Sequence, residues 1–156
     1  GGGLAVTGAG DAERLHVVSW TGQKAAAGLY LETSEDGGRS WREPAPLAGA
    51  TAQHADLAGD GEILAAAWDE IVDGERSVRA AISGDGGATW REAVRLSDSG
   101  RNASHPLVVA VSDGFVVTWT ESGDGSTATW RAVRLEDDGL PDGSAPRPGR
   151  ESVTGY

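Results

Sequence analysis

The sequence predicts an all-β fold, and three observations lead to this prediction. Short runs rich in Val, Ile, Leu, Ala and Trp recur between Asp-Gly and Gly-Gly turns. Few stretches place apolar residues at helical spacing, and the one Ala-rich run, 24–27, is closed by Gly28, so we predict a loop there. The third observation is an internal repeat of about 50 residues, which is typical of repeat architectures.

Length and charge limit the possible functions. The chain has 156 residues, with 13 Lys plus Arg against 24 Asp plus Glu, for a formal net charge of −11. We predict a single domain over 1–156, which is long enough to bury a core without disulfides or metal. The absence of Cys excludes disulfides, thiolate metal sites and cysteine nucleophiles. Because negative charge repels phosphate backbones and anionic lipids, we expect no nucleic-acid or membrane partner.

Two series of motifs define the repeat. Apolar runs end at Trp20, Trp68 and Trp119, at spacings of 48 and 51 residues. The segment 34–43 returns 49 residues later as 83–92. Each unit is read as four short strands, which is the size of a propeller blade. The predicted blades cover 4–47, 52–96 and 104–154. The fourth strand of the second blade is predicted over 89–96.

The third unit is irregular. The segment 122–130 is similar to the second series, but only four residues separate Trp119 from Asp124. This gap is too short for a strand, so we predict that the segment is the hairpin before the third strand. The segment 136–139 then takes the place of the repeated turn.

The repeated segment resembles the Asp box of sialidases, the bacterial neuraminidase repeat. The pattern Ser-x-Asp-x-Gly-x-Ser/Thr-Trp is complete twice, in Ser34, Asp36, Gly38, Ser40 and Trp41 and in Ser83, Asp85, Gly87, Thr89 and Trp90. The aspartates can accept backbone N–H bonds within a tight turn, and the glycines supply positive φ. We favour this structural role over a catalytic or metal-binding one. The resemblance implies turns between third and fourth strands, away from an active-site mouth.

The sialidase resemblance does not extend to the catalytic residues. Sialidases bind a carboxylate with three arginines and use a Tyr–Glu pair and an Asp, gathered from most of six blades. The only tyrosines are Tyr30, inside a predicted strand, and Tyr156. No arginine triad can be assigned. We therefore favour a non-catalytic module that recognises a glycan or a protein. The alternative is a fragment or divergent relative of a sialidase-like exo-glycosidase.

The loops between blades and between second and third strands share one face, where we expect any binding site. His54 and His105 each precede a strand-ending Trp by fourteen residues, and the same count places Val6 in the first blade. The imidazoles and nearby carboxylates can bind a divalent cation or a hydroxylated ligand, but we favour bonds to neighbouring loops and assign no metal or cofactor. The candidate residues are His54, His105, Asp69, Glu70, Arg76, Arg101 and Glu121.

The tryptophans that end the apolar runs allow two interpretations. Trp20, Trp68 and Trp119 can stack on a sugar, or they can pack between blades. We favour packing, because each lies at the end of a strand that is predicted to be buried.

Three blades leave two flanks uncovered, since closed propellers have about four to eight blades. One solution is a second copy, joined head to tail to give about six blades. The other is that further blades belong to a longer parent chain. The start Gly1-Gly2-Gly3 lacks Met, so we expect the chain to be cut from something longer. We also expect a secreted protein of bacterial origin.

Overall fold

The computed structural model describes residues 2–123, 128–136, 138–139, 141 and 147–148. It contains three four-stranded antiparallel sheets, each built from consecutive strands. This architecture confirms the predicted all-β propeller blades. The strands are β1 (Gly3–Thr7), β2 (Arg14–Thr21), β3 (Gly28–Ser34) and β4 (Ala45–Ala48); β5 (Ala52–Asp60), β6 (Ile63–Val72), β7 (Glu75–Ser83) and β8 (Val94–Arg95); and β9 (Asn102–Val111), β10 (Gly114–Ser122), β11 (Ala128–Leu135) and β12 (Arg147–Pro148).

Helical structure in the described residues is limited to a single 3₁₀ turn, Gly10–Ala12. The Ala-rich run 24–27 lies in a loop, as predicted. None of the described residues forms a helix of the length and apolarity that a membrane crossing requires. The fourth strand of the second sheet is shorter than the predicted 89–96: the Arg91 N–H bonds to the Ile82 carbonyl oxygen at 2.9 Å, but the regular ladder with β7 covers only Val94–Arg95.

The irregular third unit follows the predicted strand order. The segment 123–127 connects β10 to β11, and residues 124–127 lie outside the described part of the chain. The segment 136–139 follows β11, where the Gly139 N–H donates to the Glu136 carbonyl oxygen at 2.8 Å. Residues 149–154 of the predicted third blade also lie outside the described residues.

The sheets pack face to face in two interfaces, so the middle sheet is covered on both sides. The first and second sheets share one core, in which Val18 and Leu31 face Leu64 and Trp68. The second and third sheets share the other core. Small side chains of the middle sheet meet bulky ones there, including Ala58, Ala65, Ala67 and Ala80 with Phe115, Val117, Trp119 and Leu135.

The inner strand β5 contacts β1 on one side and β9 on the other, as expected for successive strands around one axis. Glycine permits the close approach of β1 and β5, since a Cβ at Gly59 would lie 1.9 Å from the Val6 carbonyl oxygen. A polar contact joins β5 and β9, where Asp56 Oδ2 accepts the Val108 N–H at 2.9 Å. The three sheets therefore form an arc.

The strand register corrects the match predicted for Trp20. Leu15 pairs with Ser34, and Leu64 pairs with Ser83, so equivalent positions of the first two sheets differ by 49 residues. Trp20 therefore matches Asp69 and not Trp68. Side chains alternate between faces along a strand, so an offset of one residue changes the face. Trp68 and Trp119 are buried between sheets, as expected, whereas Trp20 is 45% exposed.

The match predicted for Val6 is also wrong. Val6 pairs with Leu15 at the far end of β1 and corresponds to Gly59. The count failed because six residues join β1 to β2 whereas two join β5 to β6, and because Trp20, from which it starts, is one residue out of register with Trp68. The position that corresponds to His54 is Gly1, which lies outside the described residues.

Candidate functional site

Because successive strands are antiparallel, their connections lie at two opposite ends of the arc. The loop face is defined as the end that carries the connections 22–27, 49–51, 73–74 and 96–101. The turn face is the opposite end, which carries the segments 34–41 and 83–90 between third and fourth strands. The predicted separation of the repeated turns from the candidate binding loops is therefore present in the fold.

The two turns on the turn face make the same hydrogen bonds. Asp36 Oδ1 accepts the N–H groups of Arg39 at 2.9 Å and of Ser40 at 2.8 Å, and Oδ2 accepts the Ser40 hydroxyl at 2.6 Å. In the second turn, Asp85 accepts the Thr89 N–H at 2.8 Å and the Thr89 hydroxyl at 2.6 Å. The aspartates thus close their own turns.

Hydrogen bonding shifts the acidity of both aspartates. The Ser40 hydroxyl and N–H lower the pKa of Asp36 to about 2, and the Thr89 hydroxyl and N–H do the same to the pKa of Asp85. Each carboxylate is therefore ionised at neutral pH and engaged within its turn. This arrangement supports folding and leaves no proton for acid catalysis.

A groove of about 270 Å³ also lies on the turn face, beside the second turn. Its charged side chains pair with one another, because Glu35 lies 3.7 Å from Arg14 and 2.7 Å from Arg42. None of the predicted ligand-binding residues lines this groove.

His54 and His105 come together on the loop face. Each occupies a β-bulge, in β5 opposite Trp68 and in β9 opposite Trp119, where the ladder changes register. Both take the left-handed backbone conformation, with φ of +43° for His54 and +54° for His105. Their rings stack with centroids 4.1 Å apart and planes 26° apart. The shared bulge thus places two imidazoles side by side.

Asp69 holds this pair in place. Its side chain is fully buried, and Oδ2 accepts both His54 Nδ1–H at 2.9 Å and the backbone N–H of His105 at 2.9 Å. Oδ1 accepts from the Arg76 guanidinium. One carboxylate therefore joins β5, β6, β7 and β9, and Arg76 balances its charge.

Polar residues that the sequence did not single out complete this network. Gln53 Oε1 accepts from Arg76 Nη1 at 3.4 Å, and Asn102 Oδ1 accepts the Arg76 N–H at 3.4 Å. Ser104 Oγ lies 3.0 Å from His105 Nδ1. None of these three residues belongs to a sequence motif, so only the strand register places them beside the histidines.

Glu70 and Glu121, by contrast, belong to a repeated ion pair. Arg79 Nε lies 2.7 Å from Glu70 Oε1, and Arg131 Nε donates to Glu121 Oε2 at 2.7 Å. Arg101 is more distant, with Nη1 4.0 Å from Glu121 Oε2. The Glu121 side chain is buried. Both glutamates thus have arginine partners, which the repeated Trp-x-Glu spacing at 68–70 and 119–121 could have indicated.

Among the described residues, one group of three potential metal ligands occurs, His54, Asp69 and His105, with ligand atoms within 4.8 Å of one another. Both Asp69 oxygens are already engaged, one by the Arg76 cation. A metal ion at Asp69 would have to displace that positive charge. A neutral hydroxylated ligand would not, so the arrangement suits it better.

Comparison with known proteins supports the fold alone. No protein-family model matches the chain, and no curated protein matches it in sequence. In the solved structures, the chain is similar to a Hadza microbial sialidase, Hz136, with 13% identity and a TM-score of 0.62 over 96% of this chain and 37% of the sialidase. It also matches a GH43 endo-arabinanase from Bacillus licheniformis, with 11% identity and a TM-score of 0.39 over 93% of this chain and 78% of that chain.

The sialidase likeness defines the class of protein. The chain is a partial β-propeller that spans about a third of the length of the sialidase it matches. The register of its own strands independently gives three successive blades. At this level of sequence identity the likeness carries no information about activity.

Proposed function

We propose that the chain is a non-catalytic propeller module that recognises a glycan through the loop face, with His54, His105 and Arg76 as the main polar contacts. The observation that carries this proposal is the stacked imidazole pair, held by a buried carboxylate at the same bulge in two blades. Asp56 closes a separate contact between the same strands, so blade packing does not depend on the histidines alone.

Backbone strain supports a ligand-binding role. A residue other than Gly in the left-handed region costs about 1 kcal/mol or more, and such strain is concentrated at functional sites. Here two residues at equivalent bulges carry it. Their side chains remain accessible, with His54 38% exposed and His105 exposed. The described hydrogen bonds of both rings use Nδ1, so Nε2 is available for a sugar hydroxyl.

The composition of the loop face also suits a hydroxylated ligand. Arg76 and Arg101 are partly exposed there and offer several N–H donors.

The two turns on the turn face are best interpreted as Asp boxes, because each has the same Ser, Asp and Ser/Thr bonds that close it. In this interpretation the turn face stabilises the blades, and the loop face binds the glycan.

A catalytic role finds less support in the described residues. Tyr30 lies in β3 on the outer face of the first sheet, and pairs with Ser19 and Pro46 away from the histidines. Tyr156 lies outside the described residues. The Glu121 carboxylate is buried against Arg131. No tyrosine with a neighbouring glutamate therefore stands on the described part of the loop face.

The test is an NMR titration of the ¹⁵N-labelled chain with sialyllactose, lactose and a panel of neutral oligosaccharides. We expect shift changes confined to the loop face. We expect His54→Asn and His105→Asn to weaken binding about tenfold, since Asn tolerates the left-handed backbone but removes the ring. Arg42→Ala on the turn face is the matched control and should bind normally. Shifts confined to the turn face, or no binding across the panel, would contradict the proposal.

A sialidase-like hydrolase is the second candidate. The observation that favours it is that Arg101 and Arg131 both approach Glu121 at the end that carries the loop face. A fluorogenic sialoside separates the two functions. Turnover that Arg101→Ala abolishes and Arg42→Ala preserves would replace the binding module with the enzyme.

A further inference from the structure

In the part of the chain that the structure describes, the outer faces of the first and third sheets are largely apolar and exposed to solvent. The leading flank is the outer face of the first sheet, and the trailing flank is the outer face of the third. Leu4 is 66% exposed on the leading flank, and Leu107 is 63% exposed on the trailing flank. The leading flank comprises Leu4, Val6, Leu15, Val17, Tyr30 and Glu32. The trailing flank comprises Leu107, Val109, Val116, Thr118, Trp130 and Arg134.

The strand register shows what these flanks match in the middle sheet. Leu4 occupies the position of Leu57, which is 4% exposed because the first sheet covers it. Val109 occupies the position of Ala58, which is 8% exposed because the third sheet covers it. The two flanks therefore correspond to the two sides of the interface that already joins successive blades.

We propose that a second copy of this chain covers both flanks, with the trailing flank of each copy against the leading flank of the other. Two such contacts close a ring of about six blades, within the range of natural propellers. This occupant fits because each chain carries both complementary faces. The contact continues the packing that already joins the three sheets within one chain.

Side-chain size is complementary across the proposed contact. The internal interfaces pair small residues with bulky ones, as where Ala67 and Ala80 share a core with Trp119. On the leading flank, Ser19 stands at the position of Trp68 and leaves room. On the trailing flank, Trp130 stands at the position of Val78 and is 49% exposed. The larger residue thus lies on the side that faces the smaller one.

Charge is complementary as well. Among the described residues, Glu32 gives the leading flank a negative charge and Arg134 gives the trailing flank a positive one. Each chain carries a net charge of −11, which opposes association. We therefore expect the dimer to tighten as salt screens this repulsion, and the apolar contacts to dominate its stability.

Sedimentation velocity of the chain at increasing concentrations tests the proposal. We expect a particle of twice the chain's mass. Leu107→Glu and Leu4→Glu should each give a folded monomer. Both copies carry the same substitution, so each of the two contacts in the ring then contains one damaged flank. Val72→Glu is the matched control, since Val72 is an exposed residue at the loop-face hairpin and not on a flank. Circular dichroism verifies that each variant is folded.

Mixing the two monomeric variants distinguishes head-to-tail contact from other dimers. An intact trailing flank from the Leu4→Glu copy can still meet an intact leading flank from the Leu107→Glu copy, so we expect a weaker heterodimer. A dimer that only one of the two substitutions disrupts would indicate like-to-like contact and overturn the proposal. A folded wild-type monomer at high concentration, or an open-ended polymer, would also overturn it.

Discussion

The imidazoles of His54 and His105 stack with centroids 4.1 Å apart, although 51 residues separate them in the chain. Each occupies the same bulge in its own blade, and the blades pack so that one ring covers the other. Asp69 Oδ2 accepts a hydrogen bond from both residues, from the ring of one and the backbone of the other. Blade packing and the candidate site are therefore a single structure, and a change in one should affect the other.

The first prediction concerns Asp69. Asp69→Asn removes the negative charge that balances Arg76. It also replaces one of the two acceptor oxygens of this fully buried side chain with an amide NH₂ group. We expect a loss of about 2–3 kcal/mol in the free energy of unfolding, measured by urea denaturation. Asp73→Asn makes the same chemical change in the exposed β6–β7 hairpin and should stay within about 0.5 kcal/mol of wild type. Equal effects at the two positions would contradict the role of Asp69.

The two repeated turns differ in what surrounds their second glycine. Gly38 and Gly87 have φ of +86° and +85°, so Ala strains both backbones alike. A Cβ at Gly87 would lie 2.6 Å from Leu31 Cδ2 in the neighbouring sheet, whereas the nearest atom to a Cβ at Gly38 is 3.6 Å away. We expect Gly38→Ala to cost about 1 kcal/mol in unfolding free energy and Gly87→Ala about 2–4 kcal/mol. Similar losses would show that the interface relaxes.

The Asp-Gly turns and the apolar runs were sufficient to predict the blades, because turn chemistry and alternation are local properties. The match of Trp20 to Trp68 failed because spacing alone cannot fix register, and a difference of one residue reverses the buried face. The turn series, with its spacing of 49 residues, gave the correct register. Segments that close their own hydrogen bonds therefore report register better than apolar residues do.

The candidate site was predicted only in part. The histidines were found because they repeat, and Asp69 was grouped with them as a nearby carboxylate. Nothing local indicates that Asp69 bonds to both histidines or that Glu70 pairs with Arg79. These contacts depend on cross-strand pairing and on the packing of separate sheets. The strained backbone of the histidines is likewise set by the bulge in the ladder and not by neighbours in sequence.

The pKa of Asp36 reports directly on the hydrogen bonds that close its turn. The Ser40 hydroxyl is the largest cause of the low pKa of Asp36, so Ser40→Ala should raise that pKa from about 2 towards 3.8. Because the folded-state pKa lies below the unfolded value, the stabilisation is present above about pH 4 and is lost as pH falls towards about 2. NMR titration of the side-chain carboxyl measures the pKa. Asp85, whose partner Thr89 is unchanged, is the internal control, and a shift there would contradict the assignment.

The third histidine, His16, should make stability depend on pH. Its ring is fully buried between Thr7, with Oγ1 2.7 Å from Nε2, and Thr33, with Oγ1 3.0 Å from Nδ1. Burial lowers the pKa of His16 below 6.5, and the positive charge of Arg14 lowers it further. Below about pH 6.5 the unfolded chain therefore gains a proton that the folded chain does not, and stability falls by up to about 1.4 kcal/mol per pH unit. Above that pH this contribution is constant.

His16→Gln is the variant that tests this expectation, because Gln can still bond to Thr7 and Thr33 but does not titrate in this range. Urea unfolding of both proteins from about pH 7.5 to about pH 5 should show a decline in wild type that is smaller in the variant. His54 and His105 are present in both proteins, so the difference between the two curves isolates His16. Parallel curves would show that the buried ring takes up its proton in the folded state and would refute the prediction.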